Sequence, residues 1–262
     1  MGKLGFGIAG PLGARLFPAN MVQKLIEQAI AGGVRFFDTG PLYGGGEAER
    51  RLGKALAGHD RDSLFITSKA GVDEYGNRDF DPVRIRESLL RSLERLGLAH
   101  VDGLFLHGVA GPEMTEALFS ELAALQQQGL FKHLGMAGRG DELDSAITSG
   151  KFDMLMLPMG PQSIKDNQTR AQKAQAMGTR IIGIEMLYHT RRPWRLSLQA
   201  GDLWHMARRL RRGGDAVSPI KPVTALQSAL QNPLVDVVLT SSSKPAHVEE
   251  WLVCLDEAGN AS

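Results

Sequence analysis

Eight short apolar runs recur along the chain, separated by longer segments of helical period. The runs are LGFGI (4–8), VRFF (34–37), LFITS (64–68), VDGLFL (101–106), HLGM (133–136), MLMLP (154–158), RIIGIE (180–185) and VDVVLT (235–240). Runs of this length, bounded by glycine and polar residues, predict strands. Between them, PVRIRESLLRSLERLG sets Ile85, Leu89, Leu93 and Leu96 on one stripe, with Arg and Glu elsewhere, which predicts an amphipathic helix. Asp81 ahead of Pro82 supplies an N-cap and a first-turn proline, and Gly97 a stop. MTEALFSELAALQQQG (114–129) repeats the design and also ends at glycine.

Strict alternation of strand and helix means parallel strands joined by crossover helices. Eight such units in 262 residues predict one closed (β/α)8 TIM barrel over 1–262, with the tail DEAGNAS frayed. A doubly wound sheet is the competitor. GFGIAGPLG carries Gly5, Gly7 and Gly10 at the dinucleotide-binding spacing, but Pro11, Gly13 and Pro18 interrupt the long helix that should follow. The barrel is therefore preferred.

Composition narrows the partners. A net charge of +1 gives no global case for nucleic acid or a membrane surface. No run approaches the roughly 20 apolar residues of a membrane span. MGKLGFGIAG lacks a signal-peptide pattern, and Phe6 breaks the myristoylation pattern that Gly2 would begin. The single Cys254 excludes an internal disulfide and is read as packing; it suits a reducing, cytoplasmic setting. No histidine pair has helical metal spacing, so no metal is expected.

Barrel enzymes build their sites at the carboxyl ends of the strands. Asp38 follows VRFF, with Tyr43 in the next loop. Lys69 follows LFITS, and His107 follows VDGLFL. Alone, each has an ordinary role: a turn cap, a loop aromatic, an exposed lysine, a satisfied histidine. Together they make chemical sense. A free tyrosine titrates at about 10, and a nearby cation favours the phenolate and lowers that value. Lys69 can be the cation, Asp38 can hold it, and His107 can hydrogen-bond a carbonyl oxygen or relay a proton. Tyr43 would then be the general acid as hydride reaches carbon, and the base in reverse. No side chain donates hydride, so a nicotinamide cofactor is implied.

FDTGPLYGGGEAERRLGKAL, FITSKAG and SLERLGLAHVDGLFLHG resemble the aldo-keto reductases. The resemblance is dense over 30–137 and looser to about 252, and DTGPLYGGGEAERRLG is most similar to the branch with sugar dehydrogenases. It implies a (β/α)8 barrel and NADP-dependent reduction of a small-molecule carbonyl or sugar, with NAD as the lesser choice. It also implies catalytic roles for Asp38, Tyr43, Lys69 and His107. The chain departs from the family at cofactor positions. Where the family has Ser and Asn after the fifth strand, Ala137 and Gly138 stand; where it has Gln after the sixth, Met156 stands. Near the end, Ser241 replaces a Gly and Trp251 an Asn. Asp38, Ser241, Ser242, Ser243 and Lys244 are the remaining cofactor candidates, the last four as an anion site before a proline-started helix. Arg191, Arg192 and Arg195 belong to an arginine-rich segment, 191–212, read as a solvated face or a phosphate contact. The departures leave two alternatives open: a cofactor sensor, or a lyase or isomerase that keeps Tyr43 and Lys69 for proton transfer. The short tail leaves no long closing loop, so an open pocket or one completed by another subunit is expected; oligomeric state is not set by the sequence.

Overall fold

The computed structural model describes residues 2–161, 163–187 and 220–260. All eight runs are strands. In chain order the elements are β1 (Leu4–Gly7), α1 (Ala19–Ala31), β2 (Phe36–Asp38), α2 (Glu47–Leu56), β3 (Phe65–Ala70), α3 (Pro82–Leu96), β4 (Val101–His107) and α4 (Glu116–Gln127). Then come β5 (Phe131–Ala137), α5 (Glu142–Ser149), β6 (Met154–Pro158), α6 (Ile164–Ala176), β7 (Arg180–Ile184), α7 (Pro222–Leu230), β8 (Val237–Thr240) and α8 (Pro245–Asn260). Neighbouring strands pair parallel in sequence order, and β1 also pairs with β8, which closes a (β/α)8 barrel. Closure rules out the doubly wound sheet, whose first strand would not pair with its last. The glycines after β1 form a short 3-10 turn at Gly10–Gly13, and the first long helix starts only at Ala19.

Local chemistry sets the helix ends. The Asp81 carboxylate accepts from the Val83 N–H at 2.9 Å, and Gly97 ends α3 at φ +64°. Thr115 caps α4 by accepting from the Leu118 N–H at 3.2 Å. The α8 helix runs to Asn260 and so takes in most of the tail expected to fray. Cys254 is buried among the core residues of this helix. The arginine-rich segment 191–212 lies outside the described residues.

Two apolar layers result. One lies between barrel and helices. The other fills the barrel with Phe36, Phe105, Ala137, Met154, Met156, Ile182, Val237 and Leu239. Glycines make room for the large members: a Cβ on Gly135 would lie 2.4 Å from the Phe105 ring. The amino-terminal rim is tied by carboxylates at alternate strands. Asp102 accepts from the Ile66 N–H, Asp153 from Leu134 and Asp236 from Ile181, at 2.7–2.9 Å. That face reads as stability, and the opposite face as the site.

The loop from β2 to α2 runs through Gly44, Gly45 and Gly46, all left-handed, at φ +66°, +67° and +82°. Gly44 also packs so closely that its Cβ would fall 1.8 Å from the Gly13 carbonyl oxygen, whereas a Cβ on Gly45 would meet nothing closer than 3.8 Å. Urea unfolding should separate the two effects. Gly45→Ala should lose about 1–2 kcal/mol for the backbone alone. Gly44→Ala should lose at least about 1 kcal/mol more for the clash. Equal losses would mean that the loop is not held against Gly13.

Candidate active site

Alternation along the strands aims four side chains at one place. Residues two apart on a strand share a face. Phe36 and Phe105 face the barrel interior, and Phe65 packs against the same cluster. Asp38 therefore stands above Phe36, Thr67 and Lys69 above Phe65, and His107 above Phe105. Asp38 and His107 are the last residues of β2 and β4, and Lys69 is the last but one of β3, so all three stand at the carboxyl ends of their strands. The strand register confirms the proximity, pairing Asp38 with Thr67 and Lys69 with Phe105.

Lys69 is only 1% exposed. Its Nζ donates to Asp38 Oδ1 at 2.7 Å, Asp38 Oδ2 at 2.6 Å and the Thr39 carbonyl at 2.7 Å. Thr67 Oγ1 donates to Asp38 Oδ1 at 2.7 Å. The Tyr43 ring centroid lies 4.9 Å from Nζ, which sets the phenol ring beside the ammonium. Burial alone pushes the ammonium down. The fields of Asp38 and Tyr43, with the hydrogen bonds to Asp38, outweigh it and hold Lys69 above its ordinary value. Lys69 is therefore a fixed positive charge at neutral pH.

His107 goes the other way. Burial, then the charges of Lys69, Arg139 and Arg78, bring it down to about 4. At pH 7 it is a neutral imidazole, able to donate one hydrogen bond without adding charge.

A supporting network escaped the sequence reading. Glu49 is fully buried; it accepts from Ser68 Oγ at 2.6 Å and from Arg95 Nε at 2.6 Å. Arg95 in turn lies where a Cβ on Gly46 would come within 2.7 Å of its Cδ. One carboxylate thus ties α2 to α3 and to the neighbour of Lys69, against the loop that carries Tyr43. The available signal was its phase: Glu49 precedes Leu52 and Leu56 by three and seven residues, on the buried stripe of α2.

The cofactor candidates divide. Ser241, Ser242, Ser243 and Lys244 form one turn between β8 and α8. Ser242 Oγ lies 3.0 Å from His247 Nδ1 and accepts from the Lys244 N–H, so it shapes the turn itself. Hydroxyls and an ammonium at a helix start suit phosphate. At the other end, Ala137 and Met156 are buried in the barrel interior. A Cβ on Gly138 would lie 2.9 Å from Glu142 Oε1, because the Glu142 carboxylate turns back to accept from the N–H groups of Arg139 and Gly140. Trp251 is core, tilted against Phe6 at 6.3 Å between centroids. A dinucleotide thus fits these residues at its phosphate end, while positions 137, 138 and 156 offer a nicotinamide amide no polar side chain. Among the described residues no helix is long and apolar enough to cross a membrane.

Residues 3–191 match the family model described as the aldo/keto reductase family. The chain is 28% identical to D-threo-aldose 1-dehydrogenase of a Pseudomonas species, over 94% of this chain and 87% of that protein. It is 34% identical to L-galactose dehydrogenase of Arabidopsis thaliana over 52% of this chain, spanning 44% of the plant enzyme. Among solved structures, an aldo-keto reductase from Bacillus halodurans in its holo form superposes with a TM-score of 0.75 at 20% identity, covering 97% of this chain and 86% of that one. One from Klebsiella pneumoniae in complex with NADPH gives 0.70 at 17%, covering 97% and 85%. At these identities the structures support the fold alone.

The depressed His107 has a checkable consequence. Its imidazole resonances should titrate with a midpoint near 4 rather than near 6.5. The unfolded ring gains its proton first, so this group favours the folded state fully above pH 6.5, and that contribution is lost as pH falls from 6.5 towards 4. An NMR midpoint near 6.5 would show that His107 is neither buried nor crowded by cations.

Proposed function

The chain belongs to the aldo/keto reductase family, the NAD(P)-dependent oxidoreductases of carbonyls and alcohols, and on that premise we propose that Tyr43 is its general acid and base. The observation that carries this is the contact between the Tyr43 phenol and a buried ammonium held by Asp38. A bound nicotinamide dinucleotide supplies hydride to a carbonyl carbon, or takes it from an alcohol.

The chain's own residues handle the proton. In reduction, Tyr43 gives its proton to the carbonyl oxygen as negative charge grows there. Lys69 stands beside the phenolate left behind and stabilises it without moving. Asp38 fixes the ammonium and keeps the pair neutral overall. His107, uncharged, donates a hydrogen bond that orients the same oxygen. In oxidation the proton returns by the same path.

The turn Ser241–Lys244 is the proposed seat for a cofactor phosphate, and its ammonium favours NADP over NAD. A sugar or related aldehyde is the proposed substrate class, supported by the aldose and galactose dehydrogenases among the relatives.

Turnover is read from NADPH absorbance, and cofactor binding from tryptophan fluorescence. Tyr43→Phe should lower kcat about 10²–10⁴-fold while cofactor affinity changes little. Undiminished turnover would remove Tyr43 from its role, and loss of cofactor binding would make it a structural residue. Lys69→Met should also destabilise the fold by about 3–5 kcal/mol, because Asp38 is left buried and unpaired. A urea midpoint like that of the parent would show that water reaches the pair.

A further inference from the structure

Among the described residues, Glu185 is the one non-glycine with left-handed backbone, at φ +60°. That conformation costs about 1–2 kcal/mol and persists where the surroundings over-determine it. Here they do. A Cβ on residue 160 would lie 2.3 Å from the Glu185 carbonyl oxygen, so only glycine fits there, and Met159 N–H donates to the Ile184 carbonyl at 3.0 Å. The kink carries the Glu185 carboxylate from the end of β7 to the loop after β5, where it accepts from Arg139 Nε at 2.9 Å.

Arg139 is held at both ends. Its backbone N–H is bound by Glu142 at 2.7 Å and its Nε by Glu185. Its terminal nitrogens engage no described residue, and the side chain is 57% exposed. The nearby carboxylates are otherwise occupied: Glu142 by backbone N–H groups, Asp144 by Arg170. The guanidinium is aimed, yet keeps an outward edge of donors.

That edge borders the proposed active site. Ala137, two residues before Arg139, pairs with His107, and its carbonyl accepts from the Gly108 N–H at 2.8 Å. On the other side, Arg78 donates to the Gly108 carbonyl at 2.9 Å and pairs with Glu113 at 2.7 Å. Both arginines have carboxylate partners, but the charges that act on His107 are positive: Lys69, Arg139 and Arg78.

We propose that the barrel mouth beside His107 receives a carbonyl substrate bearing a carboxylate or phosphate, and that Arg139 binds that anion. The proposal rests on the oxidoreductase function above and narrows its substrate. A guanidinium edge matches either anion with two parallel hydrogen bonds. The strand order separates this cation from the proposed seat of the dinucleotide's phosphate, and the nicotinamide amide beside it carries no anion to bind. β4 and β5 lie across the closed barrel from β8, whose turn holds Ser241–Lys244.

The test compares paired aldehydes that share a reacting carbonyl: 4-carboxybenzaldehyde with benzaldehyde, and D-glyceraldehyde 3-phosphate with D-glyceraldehyde. In at least one pair, kcat/KM for the anionic member should exceed that for the neutral one tenfold or more, and this ratio should fall as salt rises from 50 to 500 mM. The pair that shows it identifies the anion. Arg139→Gln should cut the ratio at least tenfold. Glu185→Gln removes the competing carboxylate but keeps the guanidinium, so it should hold or raise the ratio. No preference in either pair, an equal loss on both members in Arg139→Gln, or a fall of the ratio in Glu185→Gln to the Arg139→Gln level would overturn the proposal. Calorimetric binding of 4-(hydroxymethyl)benzoate and glycerol 3-phosphate, against benzyl alcohol and glycerol, reads the site without turnover. If no aldehyde is reduced, the oxidoreductase function fails, while selective binding of either anion that Arg139→Gln abolishes still upholds the anion site. Absence of that selectivity sinks it.

Discussion

The ion pair between Asp38 and Lys69 is the constraint around which the carboxyl end of the barrel is arranged. Both groups are almost wholly buried. Removing two charges from water is costly, and only close pairing with every remaining donor and acceptor satisfied offsets it. Here the ammonium has three oxygen acceptors, and the carboxylate has Thr67 besides. Such a pair is a poor way to gain stability and a good way to fix a charge. A hydrophobic pair of similar volume would pack as well, but it would leave no charge beside the Tyr43 ring.

Holding that charge still is shared among elements far apart in the chain. Glu49 ties the helix after Tyr43 to the strand that carries Lys69, and Arg95 closes the tie from the next helix. The left-handed glycines let the Tyr43 loop press onto Gly13 and Arg95 with no side chain between. Below the site, the aromatic rings of the barrel interior exclude water from the pair. Stability and positioning are therefore hard to separate in this half of the molecule.

The other half of the mouth is built differently. At 137 and 156 the side chains belong to the apolar interior, and at 138 the space for one is taken by Glu142. The loop turns on that carboxylate and presents Arg139 outward. The loop offers a held cation rather than neutral hydrogen-bonding side chains, beside a histidine kept uncharged by burial first and by the neighbouring cations second. The barrel closes as the fold requires, and the rim of β5 presents a cation.

The sequence alone determined the fold to the level of eight strands in order, because parallel strands buried on both faces must be short apolar runs, and crossover helices must carry one apolar stripe. It also singled out Asp38, Lys69 and His107, each at the end of an apolar run, and Tyr43 in the loop after the first of them. It could not fix how closely Lys69 is held, because its acceptors on Asp38 and Thr39 reach it only through the pairing of β2 with β3. Nor could it place Glu49: a buried carboxylate makes sense only once Ser68 and Arg95, distant in sequence, are brought to it. The Arg139–Glu185 pair is the clearest case. The two residues are 46 positions apart, and their meeting depends on the left-handed turn at Glu185 and on the absence of a side chain at Gly160. Local periodicity reports which face of an element is buried; only closure of the barrel decides which charges face one another across its mouth.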